Sequence, residues 1–118
     1  MDEFERLAEK ALESLPEPFK SLVARENVAV AVEDEPTDED YDETQTPDDE
    51  ELFGIYRGPM RTDLGFSDLP SLPPQVVVFR GPILRCTRSK LEAVKEIQDT
   101  LVHELGHYFG LEDEEMPY

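Results

Sequence analysis

Apolar positions recur at helical spacing in two parts of the chain. Between Asp2 and Leu15 they share one helical face, Asp2 and Glu5 can cap that helix, and the prolines that follow end it. A further short turn of helix is expected at 19–24. The clearest helix is predicted at Ser89–Phe109, which opens with an S-x-x-E capping box and is followed by a glycine suited to a helix C-cap. Its apolar stripe consists of Leu91, Val94, Leu101, Val102, Leu105 and Phe109.

Shorter apolar runs predict the strands. Val28–Val32 is apolar at every position, which is typical of a strand buried on both faces. Leu52–Arg57 and Gln75–Arg80 are the other two strands, and Ile83–Arg85 is expected to be a short extended piece. This order of helices and strands favours an α/β or α+β domain of two or three layers. A length of 118 residues suits one domain, covering 1–118.

The charge balance narrows the range of partners. The chain has 29 acidic and 11 basic residues and a formal net charge of −18. Nucleic acid and anionic membranes need clustered positive charge, so neither is expected as a partner, whereas basic peptides or cations would be attracted. The same charge can also serve solubility alone. The single cysteine, Cys86, favours a reducing cytoplasm, and the chain shows no signal-peptide pattern and no apolar run that could span a membrane.

Acidic residues are concentrated in one segment. Residues 33–51 include twelve acidic residues and two prolines. This segment has too little apolar surface to fold alone. We therefore expect an acidic mobile loop at about 34–51. A calcium-binding loop is the alternative, although the ligand spacing of an EF-hand is absent. Gly58–Pro74 is a second long loop, a kind of segment that is often functional.

The last predicted helix carries the sequence H-E-x-x-H. His103 and His107, four residues apart, project from one helical face and can share a zinc ion, while Glu104 beside the metal can take a proton from a zinc-activated water. The motif continues as H-x-x-G-x-x-D: Gly110 allows a sharp turn, and Asp113 can then be the third ligand, leaving the fourth position open. Both histidines point away from the apolar stripe, toward solvent or a cleft. The alternative is a solvent face that carries two histidines by chance.

These segments together resemble the short bacterial zincin-like metallopeptidases, described as minimal metzincins. The resemblance rests on His103–Asp113, the N-terminal helix ending in Leu-Pro, the Val-rich strand before Glu-Asp-Glu-Pro, and the Phe-Gly-Ile-Tyr and Arg-Gly-Pro-Ile-Leu-Arg segments. It implies an α+β domain with a mixed sheet of three to four strands, an N-terminal helix and a C-terminal metal-binding helix. It also implies zinc-dependent hydrolysis of peptide bonds, with zinc on His103, His107 and Asp113 and Glu104 as the general base.

The chain departs from the larger metzincins. Those usually have histidine at the position of Asp113, and a C-terminal subdomain with a methionine turn, for which Met116 is too close to the motif. One wall of the substrate cleft is therefore expected to be missing or very small. Alternative functions are a metal-stabilised binding module with little or no turnover, and an acidic protein whose 33–51 loop captures a basic partner. Zincins bind substrate along an edge strand, for which Phe53–Arg57 is the candidate, and an ordinary protected edge is the competing interpretation.

Overall fold

The computed structural model describes residues 2–47, 49–57 and 74–109, which form five helices and three strands. In chain order these are α1 (Glu3–Glu13), α2 (Phe19–Glu26), β1 (Ala29–Glu33), α3 (Asp38–Thr44), β2 (Gly54–Arg57), β3 (Gln75–Phe79), α4 (Arg80–Cys86) and α5 (Lys90–Tyr108). The strands form one mixed sheet of order β1-β3-β2, with β3 parallel to β1 and antiparallel to β2. This confirms the predicted small α+β fold.

Strand β3 occupies the centre of the sheet. Its residues Val76, Val77 and Val78 are fully buried, so β3 is the strand that is covered on both faces. The prediction of such burial for Val28–Val32 is wrong, because β1 lies at an edge, with Ala29 exposed and Val30 half-buried. An apolar run shows that side chains avoid water, but it does not show whether a further strand pairs with the backbone.

One face of the sheet packs against α1 and α5. Helix α1 starts with the predicted capping box, in which the Asp2 side chain accepts from the Glu5 N–H and the Glu5 side chain accepts from the Asp2 N–H. At the other end of α1, the Gln98 amide of α5 donates to Ser14 Oγ at 2.6 Å. Phe4, Ala8 and Ala11 of α1 belong to the main apolar core. These contacts fix α5 between α1 and the sheet.

The predicted apolar stripe of α5 is largely confirmed. Val94, Leu101, Val102 and Leu105 are buried, and the Ser89 side chain accepts from the Glu92 N–H at the start of the helix. Leu91 is the exception, with 80% of its surface exposed. Helical side chains lean toward the N terminus, so a residue in the first turn projects past the core. None of the described helices is long and apolar enough to cross a bilayer.

The acidic segment is more structured than the predicted mobile loop at 34–51. It contains α3, whose start is a reciprocal capping box between Thr37 and Asp40. Arg57 of β2 pairs with Asp40 at 3.1 Å, and Arg85 of α4 pairs with two glutamates of this region. The prediction weighed the composition of the segment alone, whereas arginines from outside the segment neutralise part of its charge.

Helix α4 replaces the extended piece expected at Ile83–Arg85. Strand β3 ends at Phe79, one residue before the predicted end at Arg80, and α4 begins at Arg80, so that Gly81 and Pro82 lie inside the helix. Pro82 is tolerated because the N–H groups in the first turn of a helix have no partner within that helix. Ile83 is fully buried in the main core, and this burial stabilises the short helix.

Candidate active site

Three residues of the H-E-x-x-H motif lie together on α5. His103 and His107 are exposed, and their ring centroids lie 4.4 Å apart in an edge-to-face arrangement. Leu101 and Leu105 of the same helix are fully buried. The helix therefore presents both imidazoles on its open side, as the sequence predicts.

The histidine pair suits a shared zinc ion. Imidazole nitrogens bind zinc at about 2.0–2.1 Å, so two side chains on one helical face at this separation can both reach one ion. A catalytic site needs a third protein ligand. Among the described residues no group of three histidine, cysteine or acidic side chains is placed to hold a metal, and Gly110 and Asp113 lie outside the described residues. The ligand set with Asp113 stays a prediction.

Glu104 lies beside the histidines in a less exposed position. Burial raises the pKa of its carboxyl group above the ordinary glutamate value, while the charge of His107 and a hydrogen bond from the Tyr56 backbone N–H act in the opposite direction. The carboxylate is thus anchored to strand β2. A carboxyl group with a raised pKa next to a possible metal position is suited to accept a proton.

The edge of β2 that pairs with no strand in the described part of the chain faces α5. The Phe79 N–H donates to the Phe53 carbonyl at 2.9 Å, and peptide groups of a strand alternate in direction, so Ile55 and Arg57 also point toward β3. Gly54 and Tyr56 therefore direct their N–H and C=O groups away from β3. Phe53–Arg57, the predicted edge, does lie at an edge of the described sheet.

Gly54 allows β2 to approach α5 closely. A Cβ atom at Gly54 would lie 2.5 Å from Thr100 Cγ2 and 2.8 Å from the Val77 carbonyl oxygen, so a larger residue does not fit. Thr100 stands three residues before His103 on α5. The contact of Gly54 with the helix is therefore about one helical turn from His103.

Aromatic rings fix the other end of this contact. Tyr56 of β2 and Tyr108 of α5 have ring centroids 4.9 Å apart, and Tyr108 also lies against Phe109 at 4.7 Å. Tyr108 is almost fully buried. Aromatic pairs of this kind stabilise by about 0.5–1.5 kcal/mol beyond the area that they bury. Together with the close approach at Gly54, they hold β2 against α5.

A cavity of about 460 Å³ opens between β2 and α5. Its lining combines apolar side chains, acidic side chains and motif residues: Leu52, Phe53, Gly54, Glu96, Asp99, Thr100, His103 and Glu104. Burial and the charge of Asp99 raise the pKa of Glu96. Asp99 Oδ1 is shielded from solvent, with Lys95 Nζ at 3.5 Å but no hydrogen-bond partner in the described ranges. A cationic group would find the carboxyl groups of Glu96, Asp99 and Glu104 in this cavity.

The sequence reveals the H-E-x-x-H motif but not the surrounding residues that position it. Tyr56 acts through its backbone N–H, which no side-chain pattern reveals. Gly54 did give a signal, because a glycine inside a strand often marks a close approach of another element. Thr100 and Glu96 stand three and seven residues before His103 on α5, spacings that put them on its side of the helix, yet their role in lining a cavity depends on the position of β2.

Comparisons with known proteins agree with this geometry. The sequence profile of the zincin-like metallopeptidase family matches residues 25–118, which is most of the chain. A conserved hypothetical protein from Thermus thermophilus has a similar structure, with a TM-score of 0.55, 25% sequence identity and 90% coverage of each chain. None of the curated proteins matches the chain. The chain belongs to the zincin-like metallopeptidase family.

Proposed function

We propose that the protein is a zinc-dependent peptidase. The observation that carries this proposal is the arrangement on α5, where exposed His103 and His107 lie side by side and β2 anchors the neighbouring Glu104 carboxylate. Zinc would be held by the two histidines and Asp113. Membership of the family supports a metallopeptidase only in general terms, so the metal, the ligands and the reaction are our proposal.

Each residue has a distinct part in the proposed reaction. Zinc, when bound, would supply a Lewis acid that polarises the scissile carbonyl and acidifies water. Glu104 would accept a proton from the attacking water and later deliver it to the leaving amine. The hydrogen bond from the Tyr56 N–H fixes one side of the carboxylate, which limits its rotation and holds it beside the histidines.

The cavity beside the motif supports a basic substrate. A peptide that pairs with the free edge at Gly54 would place side chains over the cavity between β2 and α5. Leu52 and Phe53 offer an apolar wall for the methylene stem of lysine or arginine, and Glu96 and Asp99 offer carboxylates for the charged end. We propose a lysine or arginine next to the scissile bond, in a peptide or protein substrate of the cytoplasm. The single cysteine of the chain supports that compartment.

The test separates metal binding from catalysis. Elemental analysis of the purified protein and calorimetric titration with zinc should show one zinc per chain, which Asp113→Ala weakens. Glu104→Gln should keep the zinc and lose cleavage of a peptide library, whereas Glu92→Gln, an exposed position on the same helix, should cleave normally. Full cleavage by Glu104→Gln would contradict the proposed base. Zinc binding without cleavage by the unaltered protein would favour the metal-stabilised binding module.

A further inference from the structure

In the described part of the chain, the edge of the sheet opposite to the candidate active site is unpaired as well. The Ala29 N–H donates to the Pro74 carbonyl at 3.0 Å, and β1 runs parallel to β3 from Ala29 onward. Because peptide groups alternate, Ala29 and Ala31 bond to β3, while Val30 and Val32 turn their N–H and C=O groups outward. No residue in the described part of the chain pairs with these four groups.

Among residues 2–47, 49–57 and 74–109, nothing gives this edge the usual protection of an edge strand. Natural edges are blocked by lysine, proline, a bulge or a covering segment, and Val-Ala-Val-Ala-Val contains none of these residues. The one charged residue in β1, Glu33, lies at its end and pairs with Arg57 at 2.7 Å. The open edge therefore offers two outward-facing residues, Val30 and Val32, which are enough for a short ladder of hydrogen bonds.

A groove runs beside the open edge. It has a volume of about 410 Å³ and lies between β1 and α1, with Ala8, Leu12 and the β1 residues as its apolar part and Glu5 and Glu9 as its acidic part. Side chains of an added strand that face α1 would recur about every 6.6–7 Å. Glu5 and Glu9 are one helical turn apart, about 5.4–6 Å along α1, so the two spacings are similar.

We propose that the open edge of β1 binds an extended peptide segment by strand addition. The backbone of the segment pairs with Val30 and Val32, one apolar side chain enters the groove over Ala8 and Leu12, and lysine or arginine two positions away meets Glu5 or Glu9. This surface is separated from the candidate active site by β3, so it does not depend on peptidase activity.

Charge decides between the two possible occupants of the edge. A second copy of the chain would pair its own β1 there and bring a molecule of net charge −18 against an identical one. A cationic segment gains from the same field that disfavours the second copy.

The probe is a fluorescein-labelled peptide, Thr-Lys-Thr-Leu-Thr-Lys-Thr, in which leucine and both lysines share one face. Fluorescence anisotropy should show saturable binding, and amide exchange measured by NMR should slow at Val30 and Val32. A control peptide with both lysines replaced by glutamate should not bind. Val32→Pro removes one outward N–H without touching a bond to β3, and should weaken binding about tenfold, which is roughly 1.4 kcal/mol.

A pair of charge variants keeps the test independent of strand stability. Glu9→Lys and Glu13→Lys change the net charge equally on the same helix, but only Glu9 lines the groove. Glu9→Lys should weaken binding about fivefold and Glu13→Lys less than about twofold, in line with exposed charge pairs. Absence of saturable binding, equal effects of the two variants, protection at Gly54 instead of Val30, or a dimer in light scattering that Val32→Pro abolishes would each overturn the proposal.

Discussion

Replacement of Gly54 by alanine should separate β2 from α5, the helix that carries the H-E-x-x-H motif. The added Cβ would lie 2.5 Å from Thr100 Cγ2, and ordinary contact begins at 3.4 Å, so the gap must open by 0.9 Å (3.4 − 2.5). The second contact, 2.8 Å to the Val77 carbonyl oxygen, involves backbone of the central strand and cannot be relieved by rotation of a side chain. The structure therefore predicts a shift of β2 rather than a local adjustment.

The expected loss of stability follows from this overpacking. Insertion of a methyl group into a tight core costs about 1–3 kcal/mol. For a domain of 118 residues, 1 kcal/mol corresponds to a change of about 4 °C in melting temperature, so Gly54→Ala should lower it by about 4–12 °C. Thr100→Ser removes the methyl group that is struck first, and should restore part of the loss in the double variant.

Thermal unfolding followed by far-UV circular dichroism measures these changes, since the chain has no tryptophan. The matched control is Gly81→Ala, where the added Cβ would meet only the flexible ends of Glu35 and Arg85. That exchange lies in α4 and should change the melting temperature by less than about 4 °C, because helix propensity offsets a weakened surface ion pair. Equal melting temperatures for Gly54→Ala and the unaltered protein, or no coupling between Gly54 and Thr100, would refute the close-approach argument.

Three further predictions concern pH and metal. In metal-free protein, Glu104→Gln should be more stable than the unaltered chain at pH 7 but not at pH 4. Burial raises the pKa of Glu104, so the folded state of the unaltered chain loses stability as pH rises through that pKa. Urea unfolding at both pH values measures the difference in stability. Burial alone would raise the pKa of Asp40, but hydrogen bonds from the Thr37 N–H and Arg57 lower it below its ordinary value, so its contribution is present at pH 7 and fades as pH falls below about 4. Asp40→Ala should therefore cost about 1–2 kcal/mol at pH 7 and much less near pH 2.5, and an equal loss at both would contradict the linkage. Zinc at about 100 times its dissociation constant should add about 2.7 kcal/mol to the unfolding free energy, and His103→Ala should abolish this effect in the same thermal assay.

The sequence predicts the helices and strands of this fold better than it predicts which of them pack against each other. Helices α1 and α5 were predicted because apolar period and capping residues agree, and β3 because its apolar run is unbroken. The apolar run of β1 is just as regular, yet β1 lies at an edge, since strand order depends on contacts between distant parts of the chain. Helices α3 and α4 were missed for a related reason: Asp40 of α3 pairs with Arg57 of β2, and α4 is stabilised by the burial of Ile83 in the main core.

The candidate site shows the same division between local and distant information. Spacing along one helix was enough to place His103 and His107 side by side. Nothing local indicates that the Tyr56 N–H would reach Glu104, or that Gly54, two residues earlier on the same edge, would turn its peptide groups toward the same helix. If a substrate pairs with Gly54, the paired part of the substrate backbone lies about 6.6–7 Å along the strand from the Tyr56 N–H, which anchors Glu104. The strand would then set the register of the peptide relative to Glu104, and a displacement of β2 would alter substrate affinity and proton transfer together.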